Sequence, residues 1–167
     1  MSRDAAKYLL PRRIQPRRWL FLTALGTVLG AAMFVWGAVV FGLALWTPRH
    51  LAGFAILTTV TAAAAAAFGL VLASACRTRA QLNGVAAVTI LILSAVGGSL
   101  FPRFLMPEAM QTLGLATFNA WALDGYRKIF WYQAEPIALV PQVAVLVASC
   151  ALFLTIARIL VARGARA

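Results

Sequence analysis

Long apolar stretches separated by short polar links dominate the hydrophobic pattern of this chain. Each stretch is long enough to cross the hydrocarbon core of a bilayer, because about 20 apolar residues suffice when they form a helix. Charged residues lie outside these stretches until the last one passes Ala157. The pattern therefore predicts an all-α membrane bundle in one domain, with spans over 19–46, 51–76, 81–101 and 137–162.

The segment 102–136, between the third and fourth spans, is too polar to cross a bilayer and too aromatic for an ordinary loop. Pro107 and Asn119 stand where short helices can begin. Asp124 precedes basic residues by three and four positions, a spacing that predicts ion pairs. This pattern favours a re-entrant helical hairpin in the outer leaflet. An external loop with its aromatic rings on the lipid headgroups explains the same residues.

Small residues within the spans predict close helix packing. Gly26 and Gly30 have GxxxG spacing in the first span, and the second span contains the alanine run 62–67. Small residues let helix backbones approach one another in a membrane. Because alanine covers a lipid-facing surface poorly, we expect the second span to contact protein around much of its circumference, and the chain to belong to a larger assembly.

The composition excludes a soluble domain. Hydrophobic residues make up 63% of the 167 residues, charged residues only 11%, and the mean hydropathy is +0.88. The net charge of +11 would suit a nucleic-acid partner. However, the basic residues cluster at the chain ends and in the links between spans, which is typical of membrane orientation. We therefore expect a lipid bilayer, and no nucleic acid, as the partner of this chain.

The sidedness of the basic residues predicts the topology. Lys and Arg concentrate on the cytoplasmic side of membrane proteins. Both termini are therefore expected in the cytoplasm, the segment 102–136 outside, and the protein in the cell membrane, which in bacteria is the inner membrane. The residues assigned to the cytoplasmic side are Arg3, Lys7, Arg12, Arg13, Arg17, Arg18, Arg77, Arg79, Arg158, Arg163 and Arg166.

Several chemistries have no support in the sequence. No GxxxxGK[ST] phosphate loop occurs, so we do not expect the chain to bind ATP or to act as an enzyme. His50 is the only histidine, and Cys76 and Cys150 lack metal-ligand spacing, so no metal or other cofactor is expected. The spans contain no acidic residue, which argues against a proton-driven carrier.

Two motifs resemble a known family. The run GGSLFP, followed by FLMPEAMQTLGLATFNAWALDGYRKIF, is similar to the extracellular hairpin of ABC transporter permeases of the type-2 exporter class. SACRTRAQLNG, from Ser74 to Gly84, resembles the short cytoplasmic link of that family. The resemblance covers about Leu9 to Ala157. Permeases of this class usually have six spans, so this chain corresponds to the C-terminal four, and Ala120 stands where the family often has proline.

The resemblance implies the transmembrane subunit of an ATP-driven exporter, incomplete in this chain. The implied partners are a separate ATP-binding subunit and either a second permease copy or the missing two-span half. A small four-span scaffold or accessory protein remains the alternative. The resemblance also implies an external gate within the hairpin. Its candidate residues are Gly97, Gly98, Phe101, Pro102, Phe104, Phe118, Asn119, Trp121 and Asp124.

The basic segment 1–18 lies where the family places a cytoplasmic coupling helix. Its sequence LLPRRIQPRRW contains Arg12, Arg13, Arg17 and Arg18, which the resemblance implies as contacts to carboxylates of the ATPase. Binding to anionic lipid headgroups, or simple retention of the segment in the cytoplasm, explains the same residues.

Overall fold

The computed structural model describes residues 16–42, 48–132 and 134–164, and over these ranges the chain is helical with no β-sheet. Four helices have the length and apolar composition needed to cross a membrane. The predicted all-α membrane bundle with four spans is thus confirmed. The helices are α1 (Pro16–Phe41), α2 (Pro48–Ala75), α3 (Arg79–Gly97), α4 (Glu108–Gly114), α5 (Phe118–Phe130) and α6 (Val140–Gly164), with 3₁₀ turns at Arg103–Leu105 and Pro136–Leu139.

The ends of α3 and α5 have identifiable caps. The Thr78 hydroxyl accepts the backbone N–H of Gln81 at 3.2 Å and starts α3. Gly98, at φ +92°, ends α3 in the left-handed conformation that favours glycine, so the helix stops before the predicted limit of 101. The prediction that Asn119 caps a helix is wrong. Thr117 caps α5 instead, because its hydroxyl accepts the N–H of Ala120.

Helix α2 lies at the centre of the bundle and packs against α1 on one side and α6 on another. A Cβ added at Gly26 would lie 3.2 Å from the Ala62 Cβ, and one at Gly30 would lie 3.1 Å from the Thr58 Cγ2. The GxxxG spacing therefore brings α1 close to α2 within one chain. The buried core residues of α2 and α6 are Phe54, Leu57, Ala64, Ala67, Leu146 and Cys150.

The alanine run packs against both neighbours of α2. Ala62 lies beside Gly26 of α1, and the Ala63 carbonyl accepts from Trp19 of α1 and from Cys150 of α6. Ala64 and Ala67 are fully buried, whereas Ala65 between them is exposed. The expectation that protein in a larger assembly surrounds much of this helix stays a prediction. Helices α1 and α3 also leave large apolar side chains exposed, including Phe21, Val28, Met33, Trp36, Val88, Leu91 and Ile92.

Candidate functional site

Helix α5 is the amphipathic element of the segment 102–136, and it lies lengthwise between α2 and α6. Its buried face consists of small residues and one isoleucine: Ala120, Ala122, Gly125 and Ile129. Small side chains let the backbone of α5 approach its two neighbours closely. The helix begins at the level of Phe68 in α2 and ends at the level of Phe54, so it runs antiparallel to α2.

Aromatic clusters hold both ends of α5. At its start, the Phe118 ring lies 5.7 Å from the ring of Phe68 and 5.6 Å from that of Phe153. At its end, the Phe130 ring stacks on Phe34 at 5.1 Å. Such ring pairs contribute about 0.5–1.5 kcal/mol each beyond the burial of their surface. The two clusters therefore fix the long axis of α5 against α1, α2 and α6.

The closest approach between α5 and α2 occurs at Gly125. A Cβ added there would lie 2.8 Å from Cδ2 and 2.9 Å from Cδ1 of Leu57. Real Cβ atoms essentially never come this close to other heavy atoms. Leu57 has no exposed surface, so its side chain has little room to move away. The absence of a side chain at Gly125 therefore permits the contact between the two helices.

A hydrogen bond ties the middle of α5 to α2. The Tyr126 hydroxyl donates to the Thr58 hydroxyl oxygen at 3.1 Å, and Thr58 is 3% exposed. Burial raises the pKa of Tyr126, and the hydrogen bond with Thr58 opposes that effect. The hydroxyl therefore stays protonated and keeps its donor role. This bond satisfies polar groups in surroundings where an unpaired one is costly.

A second polar contact joins α5 to the start of α6. The Gln142 amide donates to Oδ2 of Asp124 at 2.8 Å, and Gln142 is 2% exposed. Arg127 and Lys128 approach the same carboxylate at 3.4 and 3.9 Å, which confirms the predicted ion pairs. The amide oxygen of Gln142 is buried without a hydrogen-bond partner. Asp124 thus links α5 to α6 through one buried amide.

A joint of glycines connects α3, α4 and α5. A Cβ at Gly97 would lie 2.9 Å from the amide nitrogen of Asn119, and one at Gly114 would lie 2.8 Å from the carbonyl oxygen of Val96. Asn119 also donates to the Ser99 hydroxyl at 2.7 Å. Across the joint, the Arg103 guanidinium donates to the carbonyl of Gln111 at 2.9 Å. The three helix ends therefore meet with no space for a side chain at Gly97 or Gly114.

The comparisons with known proteins identify the family. A family model described as ABC-2 type transporter matches residues 18–131, about two thirds of the chain. The chain belongs to the ABC-2 type transporter family. It is therefore a multi-pass permease subunit of an ABC transporter, and the family implies an ATP-binding partner subunit. The family inferred from the sequence is confirmed, whereas the export direction and the correspondence to the C-terminal four spans stay predictions. A search of curated proteins and a search of solved structures gave no match.

The permease brings together only some of the residues expected in an external gate. Gly97, Gly98 and Asn119 lie at the glycine joint, and Phe118 lies between α2 and α6. The Trp121 indole N–H donates to the carbonyl of Leu115 at 2.8 Å and braces the turn before α5.

The remaining gate candidates, Phe101, Pro102 and Phe104, lie apart from the contacts between α5 and its neighbouring helices. Phe101 and Phe104 are 63% and 76% exposed, and Pro102 beside them is also exposed. In the described part of the chain, no ring contact joins Phe101 or Phe104 to the aromatic clusters of α5. A gate role stays a prediction for all of the candidate residues.

The basic segment 1–18 of the permease is described only in part. Arg17 and Arg18 are exposed in the first turn of α1, while Arg12 and Arg13 lie outside the described residues. Within the described ranges, no group of three or more His, Cys, Asp and Glu side chains is suited to a metal ion. A role of the arginines in coupling stays a prediction.

Several contact residues of the permease carried only weak sequence signals. Thr58 and Gln142 are polar residues within apolar spans, a pattern that points to buried hydrogen bonds but not to their partners. Gly125 is one of 12 glycines, and nothing in the sequence distinguished it from the others. Its contact with Leu57 depends on how α5 lies on α2, which no local pattern specifies.

Proposed function

We propose that this permease subunit belongs to an ATP-driven exporter, and that the hairpin 102–136 closes its substrate path from the outside. The observation that carries the proposal is the position of α5. Phe118 contacts Phe153, which lies 13 residues into α6 and hence about 20 Å from its start. The start of α5 therefore lies well below the first residues of α6, in contact with both α2 and α6. This position supports a hairpin whose backbone is covered by protein.

The proposed energy source is a separate ATPase at the cytoplasmic face. An ATP-binding partner follows from the family, and the absence of a phosphate loop supports a permease that does not hydrolyse ATP itself. We place both termini and the exposed Arg17 and Arg18 in the cytoplasm of a bacterial cell, with the permease in the inner membrane. Their guanidinium groups suit carboxylates on the partner.

We further propose that these four spans work together with a second permease copy or with a two-span half encoded separately. The apolar surfaces of α1 and α3 support this part of the proposal, because both helices contribute few buried residues to the bundle. Lipid covers such surfaces in a subunit that works alone, so the composition of the purified complex decides between these arrangements.

Affinity purification of the tagged chain in mild detergent, followed by mass spectrometry, tests this proposal. We expect an ATPase subunit to copurify, and its ATPase rate to change when the complex enters liposomes. A double variant Arg17→Ala/Arg18→Ala should weaken that association. Arg127→Ala, which removes an arginine from the opposite end of the bundle, is the matched control. Purification of the chain without any ATPase would instead favour the four-span scaffold.

A further inference from the structure

Arg103 is a partly buried basic residue that is held in place at the glycine joint. A Cβ added at Gly98 would collide with its Cγ and lie 3.1 Å from its Cδ, so the stem of the side chain rests on the end of α3. Its guanidinium donates to the carbonyl of Gln111 at 2.9 Å, and one nitrogen would lie 3.9 Å from a Cβ at Gly114. The positive charge is therefore fixed between the ends of α3 and α4.

The glycine joint lies at the level of residues within two of the spans. It adjoins the start of α5, where the Phe118 ring contacts Phe68 and Phe153. These two phenylalanines belong to the candidate spans His50–Ala75 and Pro136–Arg163. Charged side chains at such a level are costly, and they mark substrate or ion pathways in membrane proteins. The position of this arginine therefore points to a binding role.

The charge of Arg103 lacks an acidic partner. Within the described ranges Arg103 makes no ion pair, while the carboxylate of Asp124 is paired with Arg127 and Lys128. Glu108, the acidic residue nearest in sequence, is exposed in the first turn of α4. A guanidinium has five N–H donors in a fork that fits two oxygens of a phosphate. A bound phosphate would supply the missing negative charge.

The side chains next to Arg103 in the sequence are apolar and exposed. Phe101, Phe104 and Leu105 are 63%, 76% and 70% exposed. A free phosphate ion would lose hydration among such side chains, which is costly for a charged group. A phosphate that is attached to an alkyl chain gains free energy when that chain is buried beside them. The surroundings of Arg103 therefore favour an amphiphile over a free anion.

We propose that Arg103 binds the phosphate group of an amphiphilic molecule at the glycine joint, with the apolar part of the molecule beside Phe101 and Phe104. Binding itself requires no ATPase. That the bound molecule is the transported substrate rests on the proposed function, and it defines the substrate class as acidic amphiphiles.

Titration of the purified chain with dodecyl phosphate tests the site. The chain is kept in dodecyl maltoside, which has an alkyl chain of the same length and an uncharged head group. A ligand that binds only the folded chain raises the unfolding midpoint, and the dependence on ligand concentration gives the Kd. A thiol-reactive dye reports unfolding, since Cys76 and Cys150 are free and buried.

Three variants assign the binding to Arg103. Arg103→Gln should raise the Kd for dodecyl phosphate about ten-fold or more, the effect of losing one hydrogen bond to a charged group. Arg103→Lys keeps the charge and loses the fork, so its Kd should lie between those of the wild type and Arg103→Gln. Arg127→Gln is the matched control, because this arginine of the hairpin already has Asp124 as its partner. Its Kd should equal that of the wild type.

Inorganic phosphate distinguishes the two sources of a phosphate group. We expect it to raise the unfolding midpoint less than dodecyl phosphate at the same concentration. Equal shifts would overturn the amphiphilic ligand in favour of the free anion. An unchanged Kd in Arg103→Gln would overturn the site, and so would an equal loss in Arg127→Gln, because general attraction to a basic chain would then suffice. None of these results depends on an ATPase, so the site and the proposed function can fail separately.

Discussion

The contact between Gly125 and Leu57 gives the sharpest test of how α5 is held. Gly125→Ala adds a methyl group 2.8 Å from Leu57 Cδ2, and the fully buried leucine has little room to move away. Such overpacking costs about 1–3 kcal/mol. Alanine is also favoured over glycine in a helix by about 1 kcal/mol. The free energy of unfolding should therefore fall by up to about 2 kcal/mol.

A control variant separates the clash from the helix preference. Gly84 lies in α3, and a Cβ there would have no neighbour within 4 Å. Gly84→Ala should therefore only gain helix stability, by about 1 kcal/mol at most. The difference between the two variants isolates the clash, and we expect it to be about 1–3 kcal/mol.

A double-mutant cycle then assigns the clash to Leu57. Leu57→Ala alone leaves a cavity and should cost about 2–5 kcal/mol. In the double variant the new methyl group at position 125 fills part of that cavity, so the two costs should not add. Unfolding in detergent is measured with a thiol-reactive dye, since Cys76 and Cys150 are free and buried. Additive costs to within about 0.5 kcal/mol would refute this account of the contact.

Further substitutions probe the joint and the polar contacts. Gly114→Ala would place a Cβ 2.8 Å from the Val96 carbonyl oxygen, a backbone atom, and should destabilise the protein more than Gly84→Ala in the same dye assay. Gln142→Leu removes the amide from Asp124 and should cost about 1–2 kcal/mol. Hydrogen exchange of α5 should rise while that of α1 does not. Tyr126→Phe should cost about 1 kcal/mol, seen as a lower unfolding midpoint in detergent.

The sequence was sufficient for the membrane fold because the apolar stretches are long and uninterrupted. Length and hydropathy alone determine which segments can span a bilayer. The ends of the helices were less predictable. For α5, both Thr117 and Asn119 are good capping residues, and only the three-dimensional course of the chain determines that Asn119 reaches Ser99 instead.

The candidate site was predictable only in its local parts. The ion pairs of Asp124 follow from spacing on one helix, so the sequence contained them. The contacts with Gln142 and Thr58 join residues 18 and 68 positions apart. Their partners depend on the antiparallel packing of α5 against both α2 and α6, and periodicity within one helix carries no information about such packing.

The two polar contacts of α5 also limit how the hairpin can move. Tyr126 is bound to α2 and Asp124 to α6, from positions two residues apart on one short helix. If α2 moves relative to α6, α5 can therefore keep its bond to only one of these two helices. The Leu57 contact favours movement of α5 with α2, because the close packing there cannot slide without a steric clash. In the proposed ATP-driven cycle, we expect a shift of α2 relative to α6 to open the bond between Asp124 and Gln142 first.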